Sequence, residues 1–298
     1  MILPLALFSL IPLILPLAVV SAEPVYKPVV LWHGMGDDCC NPQSMGRVTE
    51  LIQKVLPGVF VHSVQVGETR QDDHEAGFFG QVNDQVEQVC EQLAGIPELA
   101  DGFNAIGFSQ GGLFLRAYVQ RCNRPAVHRL ITFGSPHGAV RFGVYTGYVQ
   151  HRVVQAQYYK DPRNLQGYLD HNVFLPDINN ELGVKNETYR DNLSQLEYFI
   201  MVRFADDSMV KPSETAWFWT YDENEDLVPL DKQDMFREDW LGLQRLGARL
   251  RFLVSPGQHM EISDDFLETE IIHPYLASPE TSAASIPAIS TPRFISQP

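Results

Sequence analysis

Basic side chains are scarce in this 298-residue sequence: 22 Lys and Arg face 37 Asp and Glu, a formal net charge of −15. A chain this acidic offers no electrostatic footing for nucleic acid or for an anionic membrane surface. Cysteine is sparse too. There are four, none in a C-x-x-C spacing and none beside clustered histidines, so no metal site is expected. No internal repeat is present, and beyond the N-terminus no stretch is long and apolar enough to span a bilayer. What remains is a chain with 45% hydrophobic residues, enough for one large α/β domain with an insertion or for two small domains.

The first 22 residues carry no charged side chain. Pro4, Pro12 and Pro16 interrupt them, and the small residues of Val20-Ser21-Ala22 precede Glu23-Pro24. This reads as a signal peptide over 1–22, although it lacks a positive leading segment; an uncleaved anchor is the alternative. An oxidising destination makes the cysteines meaningful. The simplest pairing is Cys39 with Cys40 and Cys90 with Cys122. Asn186-Glu187-Thr188 and Asn192-Leu193-Ser194 are sequons, which mark an exposed, glycosylated segment. The Ser-, Pro-, Ala- and Thr-rich stretch 277–298 has little to bury and reads as a disordered tail.

Between these ends, short apolar runs alternate with helical spacing. Pro28–Trp32 reads as a strand opening into the glycine-rich His33-Gly34-Met35-Gly36-Asp37. A helix is expected over 46–56, a strand over 59–66 and a helix from Gly80, where Val82, Val86, Val89, Cys90 and Leu93 recur at helical intervals. Strands are expected from Phe103, at Leu130–Phe133, at Tyr198–Phe204 and at Leu250–Val254. Partly helical structure is expected over 231–246, and a closing helix over 264–275. Strands alternating with helices imply a mostly parallel sheet covered on both faces. The segment 139–196 has no clean strand and reads as a largely helical, lid-like insertion before the Tyr198 strand.

The chemistry centres on Gly107-Phe108-Ser109-Gln110-Gly111, a G-x-S-x-G match with an apolar run before it and a helix-compatible run after it. In a nucleophile elbow, glycines flank the serine because the strained strand-to-helix turn leaves no room for a side chain. Ser109 is therefore the expected nucleophile of an α/β-hydrolase fold. A serine hydroxyl needs a base, and the base needs a carboxylate behind it, in the chain order Ser, Asp/Glu, His. Of the nine histidines, His259 is the one downstream of the insertion that directly follows a strand. Asp206 and Asp207 both end the Tyr198 strand, and position alone does not choose between them. Asp226 lies in a charged, hairpin-like stretch that reads as solvated. The oxyanion hole needs two N–H donors, expected from Gln110 and Met35.

At these residues the chain resembles the lysosomal palmitoyl-protein thioesterases of type 1. The resemblance rests on 30–42, which contains His33-Gly34-Met35-Gly36-Asp37-Asp38-Cys39-Cys40-Asn41-Pro42, and on the elbow. It also rests on Phe133-Gly134-Ser135-Pro136-His137-Gly138, Phe204-Ala205-Asp206-Asp207-Ser208 and Gly257-Gln258-His259. It covers roughly 28–276; the first block is highly specific, whereas G-x-S-x-G by itself is not. It implies Ser109 as nucleophile, His259 as base, Asp207 as the acid, Met35 and Gln110 as oxyanion donors, and the two disulfides above. It implies a domain over 23–276 whose insertion forms a groove for a fatty acyl chain. It further implies hydrolysis of long-chain acyl thioesters on S-acylated proteins or peptides, with acyl-CoA a further admissible substrate, no cofactor, and a lysosomal, vacuolar or secreted location. Two features depart from the family: a third disulfide in the insertion has no cysteines here, and Asp206 replaces a sequon. A lipase or esterase acting on oxygen esters, and an inactive hydrolase-fold binding module, are the competing expectations.

Overall fold

The computed structural model describes residues 26–141 and 146–277. The expected leader and nearly all of the expected tail lie outside the described residues. Six strands form one sheet: β1 (Val29–Trp32), β2 (Val61–Ser63), β3 (Phe103–Phe108), β4 (Val127–Phe133), β5 (Tyr198–Phe204) and, later in the chain, β8 (Leu250–Ser255). Their spatial order is β2-β1-β3-β4-β5-β8, and every neighbouring pair is parallel. Two short strands, β6 (Thr220–Tyr221) and β7 (Leu227–Val228), form a separate antiparallel hairpin around the acidic stretch that contains Asp226.

The strands read as unbroken apolar runs because both faces of the sheet are covered. Alternate side chains go to opposite sides. Val30, Trp32, Ala105, Leu130, Phe199 and Met201 face one core, with α3 (Val82–Ala94) and α4 (Gln110–Arg121) packed against it. Val29, Leu31, Ile106, Ile131, Ile200 and Val202 face the other, covered by α1 (Met45–Val55) and the closing helix. This is the architecture of an α/β-hydrolase.

Several local expectations differ in detail. A seven-residue helix, α2 (Arg70–Ala76), was not anticipated; it is opened by a capping box in which Thr69 and Asp72 bond each other's backbone N–H. The segment 231–246 is less helical than its composition suggests, with single turns at Asp234–Arg237 and Leu243–Leu246. The closing helix starts as an α-turn at Asp264–Phe266 and then widens to i→i+5 turns over Leu267–Leu276, which contain Pro274.

The insertion carries only short helices among its described residues: α5 (Gly147–Gln150), α6 (Leu165–His171), α7 (Leu175–Ile178) and α8 (Glu187–Ser194), with a 3₁₀ turn at Val154–Tyr158. Buried polar groups on α4 hold it. The fully buried Arg116 donates to the Ile178 carbonyl at 3.0 Å and to Asn179 Oδ1 at 2.8 Å, and Gln120 Nε2 donates to the same Ile178 carbonyl at 2.6 Å. Burial pushes the Arg116 pKa down to about 9.

The elbow is pressed against β1. A Cβ on Gly111 would lie 2.3 Å from the Trp32 carbonyl oxygen and 2.4 Å from that of His33. Gly111→Ala is therefore expected to destabilise the protein by about 1–3 kcal/mol, as overpacking does. Urea unfolding measures this; an unchanged midpoint would mean that the elbow can move off β1 at no cost.

Candidate active site

The C-terminal ends of the parallel strands deliver the polar loops to one rim, as open α/β sheets do. Ser109 follows β3 directly and sits at φ 51, ψ −123, a conformation that side chains other than glycine rarely adopt. Its N–H is held by the Phe133 carbonyl at 2.7 Å. Glycines make the turn possible: a Cβ on Gly107 would lie 2.2 Å from Gly112 Cα, and one on Gly112 would lie 2.1 Å from Ser135 Oγ. The result places the hydroxyl at the N-terminus of α4, where the helix dipole favours developing negative charge.

The loops after β5 and β8 bring two more expected residues to Ser109. His259 Nε2 lies 3.0 Å from Ser109 Oγ, and His259 Nδ1 lies 2.6 Å from Asp207 Oδ2. With the carboxylate accepting from Nδ1–H, Nε2 is left as the acceptor for the serine hydroxyl. Asp207 Oδ1 in turn accepts the N–H groups of Met209 and Val210, at 2.9 and 2.8 Å, so the carboxylate is fixed at both oxygens. Asp206 is exposed, and its main chain rather than its side chain anchors the loop, through the Gly257 carbonyl at 3.0 Å. Asp226 is exposed on the hairpin. His273 is exposed on the closing helix, 3.4 Å from Glu268.

A cavity of about 390 Å³ opens at Ser109. Its walls are largely apolar and include Met35, Val140, Tyr158, Met209 and Ile262. Only Val140, Gln155 and Tyr158 come from the described part of the insertion; most of the remainder comes from the loops after the strands and from α1. Met35 sits on the glycine-rich loop after β1, where a Cβ on Gly34 would lie 3.1 Å from Ser109 Cβ. Neither Met35 N–H nor Gln110 N–H takes part in a turn, loop or cap hydrogen bond among the described residues. The buried Gln110 side chain is clamped: its amide donates to the Gly77 carbonyl at 2.9 Å, and its oxygen accepts from Tyr158 Oη at 2.9 Å and Gln155 Nε2 at 3.1 Å. Burial raises the Tyr158 phenol pKa, which keeps it a donor.

The cysteines pair as Cys39–Cys40 and Cys90–Cys122. The two sequon asparagines differ. Asn186 is exposed and its side-chain Oδ1 caps α8 by accepting from Thr188 N–H, whereas the Asn192 amide nitrogen, the atom a glycan would occupy, donates inward to the Gln120 carbonyl at 3.1 Å. Sequence reasoning missed a buried pair, His33 and Asp73, with His33 Nε2 2.9 Å from Asp73 Oδ1. The signal was the Thr69-x-x-Asp72 capping box, which starts the helix that carries Asp73. His137, in the loop after β4, is not among the residues that line the cavity. His137 is fully buried, stacked on Phe218 at a centroid distance of 4.8 Å, with Nε2 3.1 Å from Thr132 Oγ1.

Two expectations follow. Asp207→Asn should lower kcat by roughly 10³–10⁴, as loss of the orienting carboxylate does in such triads, while Asp206→Asn leaves kcat essentially unchanged; steady-state kinetics on both variants separates them. Burial, with the Arg116 charge second, holds the His137 pKa well below its ordinary 6.5. Below that pH the unfolded chain binds a proton that the folded one refuses, so stability falls as pH drops through 6.5 towards the lower folded value. His137→Phe, which can keep the stack on Phe218, should lose less melting temperature between pH 7 and 5 than the wild type.

The family profile described as "Palmitoyl protein thioesterase" matches residues 28–259. The chain is 40% identical over 272 residues to palmitoyl-protein thioesterase 1 of Caenorhabditis elegans, an alignment covering 83% of this chain and 91% of that protein. It is 36% identical over 276 residues to palmitoyl-protein thioesterase 3 of Dictyostelium discoideum, covering 86% and 92%. It is 28% identical over 285 residues to a Drosophila melanogaster protein named lysosomal thioesterase PPT2 homolog, covering 86% and 94%. With a serine set between an imidazole and an apolar cavity, and a family match across most of its length, this chain belongs to the palmitoyl protein thioesterase family.

Proposed function

We propose that this enzyme hydrolyses long-chain acyl thioesters on S-acylated proteins or peptides. The observation that carries the reading is the hydrogen-bonded series Ser109–His259–Asp207, at 3.0 and 2.6 Å, opening onto an apolar cavity. Ser109 Oγ attacks the thioester carbonyl carbon while His259 Nε2 takes its proton. Negative charge gathers on the carbonyl oxygen, within reach of the Met35 and Gln110 N–H groups. Collapse breaks the C–S bond, and the departing sulfur takes the proton from His259. Water, deprotonated by His259, then attacks the acyl-serine; the products are a fatty acid and a peptide thiol. Acyl-CoA carries the same thioester and fits the same chemistry.

The relatives named lysosomal thioesterases support a lysosomal location for this chain, and two disulfides suit a secretory route to it. Among the described residues, no helix is long and apolar enough to cross a membrane.

The test compares purified protein with Ser109→Ala on a palmitoyl-cysteine peptide and the matched palmitoyl-serine peptide. Thioester cleavage should exceed oxygen-ester cleavage and fall to background in the variant. A preference for the oxygen ester would move the reading to a lipase, and no Ser109-dependent turnover of either peptide would overturn it.

A further inference from the structure

We propose that His33 is a positioning residue for the oxyanion hole: held as an imidazolium between Asp73 and the Gly34 carbonyl, it fixes the Gly34–Met35 peptide whose N–H would meet the substrate oxygen. This rests on the reading of Met35 as an oxyanion donor.

Both of His33's partners are acceptors. Nδ1 lies 2.9 Å from the Gly34 carbonyl oxygen and Nε2 lies 2.9 Å from Asp73 Oδ1, and the ring is 3% exposed. A neutral ring has one N–H and one lone pair, so it would set a lone pair against one of these oxygens. A protonated Asp73 would relieve that conflict, but three donors converge on this fully buried group. Val66 N–H at 2.8 Å on Oδ1 and Cys39 N–H at 2.7 Å on Oδ2 join the His33 ring, so both oxygens are already engaged as acceptors. Burial alone would lower the His33 pKa. The hydrogen bond and charge of Asp73, the Gly34 carbonyl and the more distant Asp37 outweigh it and raise the group above its ordinary value. The other charges facing it are Asp38, in the same loop, and Arg70 on α2, which neutralise each other at 2.9 Å.

The peptide between Gly34 and Met35 is trans, since the cis bonds among the described residues are Arg124–Pro125 and Lys211–Pro212. In a trans peptide, C=O and N–H point opposite ways. Because the Gly34 carbonyl turns to the His33 ring, the Met35 N–H points away from that ring, in a loop so close to the nucleophile that a Cβ on Gly34 would lie 3.1 Å from Ser109 Cβ. Glycine itself offers little resistance to a flip of this plane. His33 supplies that resistance, Asp73 holds His33, and the Thr69 capping box holds the helix that carries Asp73.

The raised pKa sets a direction. His33 adds stability that is complete below 6.5 and is lost as pH rises through its folded-state value. Loss of its proton releases either Gly34 or Asp73, so the hole loosens on the alkaline side.

Two measurements test this. Ring ¹⁵N shifts of His33 in the wild-type protein, assigned by their absence in His33→Asn, should show two protonated nitrogens at pH 7 and titration above the ordinary histidine range. Asp73→Asn should lower that titration. A neutral ring at pH 7 overturns the proposal whether or not any variant folds.

The kinetic arm uses whichever acyl substrate Ser109 turns over, so failure of the thioester reading leaves it readable. His33→Leu should lower kcat about tenfold to a hundredfold, below the roughly 10²–10³ cost of deleting a donor outright, with KM little changed. Affinity for an alkyl boronic acid, a tetrahedral mimic, should fall in step with kcat, while affinity for the fatty acid product holds. His33→Asn, which keeps an amide donor for Gly34, should recover part of kcat and lose the alkaline decline attributed to His33. Unchanged kcat in a folded His33→Leu, or equal losses for boronic acid and product, would overturn the positioning role.

Discussion

Everything at the catalytic rim depends on how closely the main chain of the elbow approaches its neighbours. A side-chain carbon on Gly111 would sit 2.3 Å from a β1 carbonyl, and one on Gly107 would sit 2.2 Å from the first turn of α4. Without those carbons, Ser109 can hold its strained turn while the loop after β1 passes beside it, with Gly34 nearly touching the serine. The nucleophile and the first proposed oxyanion donor are thus one packing unit. Loops from β5 and β8 then bring acid and base to it from the other side of the rim.

The parts legible in the sequence were those whose physical cause is local. Unbroken apolar runs mark strands covered on both faces, and the elbow declares itself through glycines that nothing larger could replace. The choice between Asp206 and Asp207 had no local cause. Both end the same strand, and only the turn that points one side chain at His259 and the other at solvent separates them. The helix α2 was equally silent, since a seven-residue polar segment has no apolar stripe to count; only its capping box speaks. Asp73 therefore escaped notice, although it is fully buried and ties three segments of chain together. The closing helix was visible, but not its wide turns, because apolar spacing near four residues fits either geometry.

Two buried histidines lean in opposite directions. Asp73 compensates the charge on His33, whereas His137, between Phe218 and Thr132 and near the Arg116 cation, is kept neutral. The same residue type is charged where a carboxylate has been buried with it, and uncharged where burial brings no counter-ion and a second cation adds to the penalty. Against a surface dominated by acids, both states are set by neighbours in the interior rather than by the field of the whole chain.

The guanidinium of Arg116 bears on how substrate gets in. It lies in the apolar interior on the helix that begins at Ser109, and its strongest partners, the Ile178 carbonyl and Asn179, belong to the insertion. Swinging that part of the insertion outward like a door would leave a cation stranded without its acceptors, at a cost of several kcal/mol. It would also tug on the rod that ends at the nucleophile. The energetics favour a doorway that stands open with its far wall bolted in place. Met35 and Met209, both exposed and both lining the cavity, have unbranched side chains that can shift aside one at a time, so entry past them needs no hinge to turn.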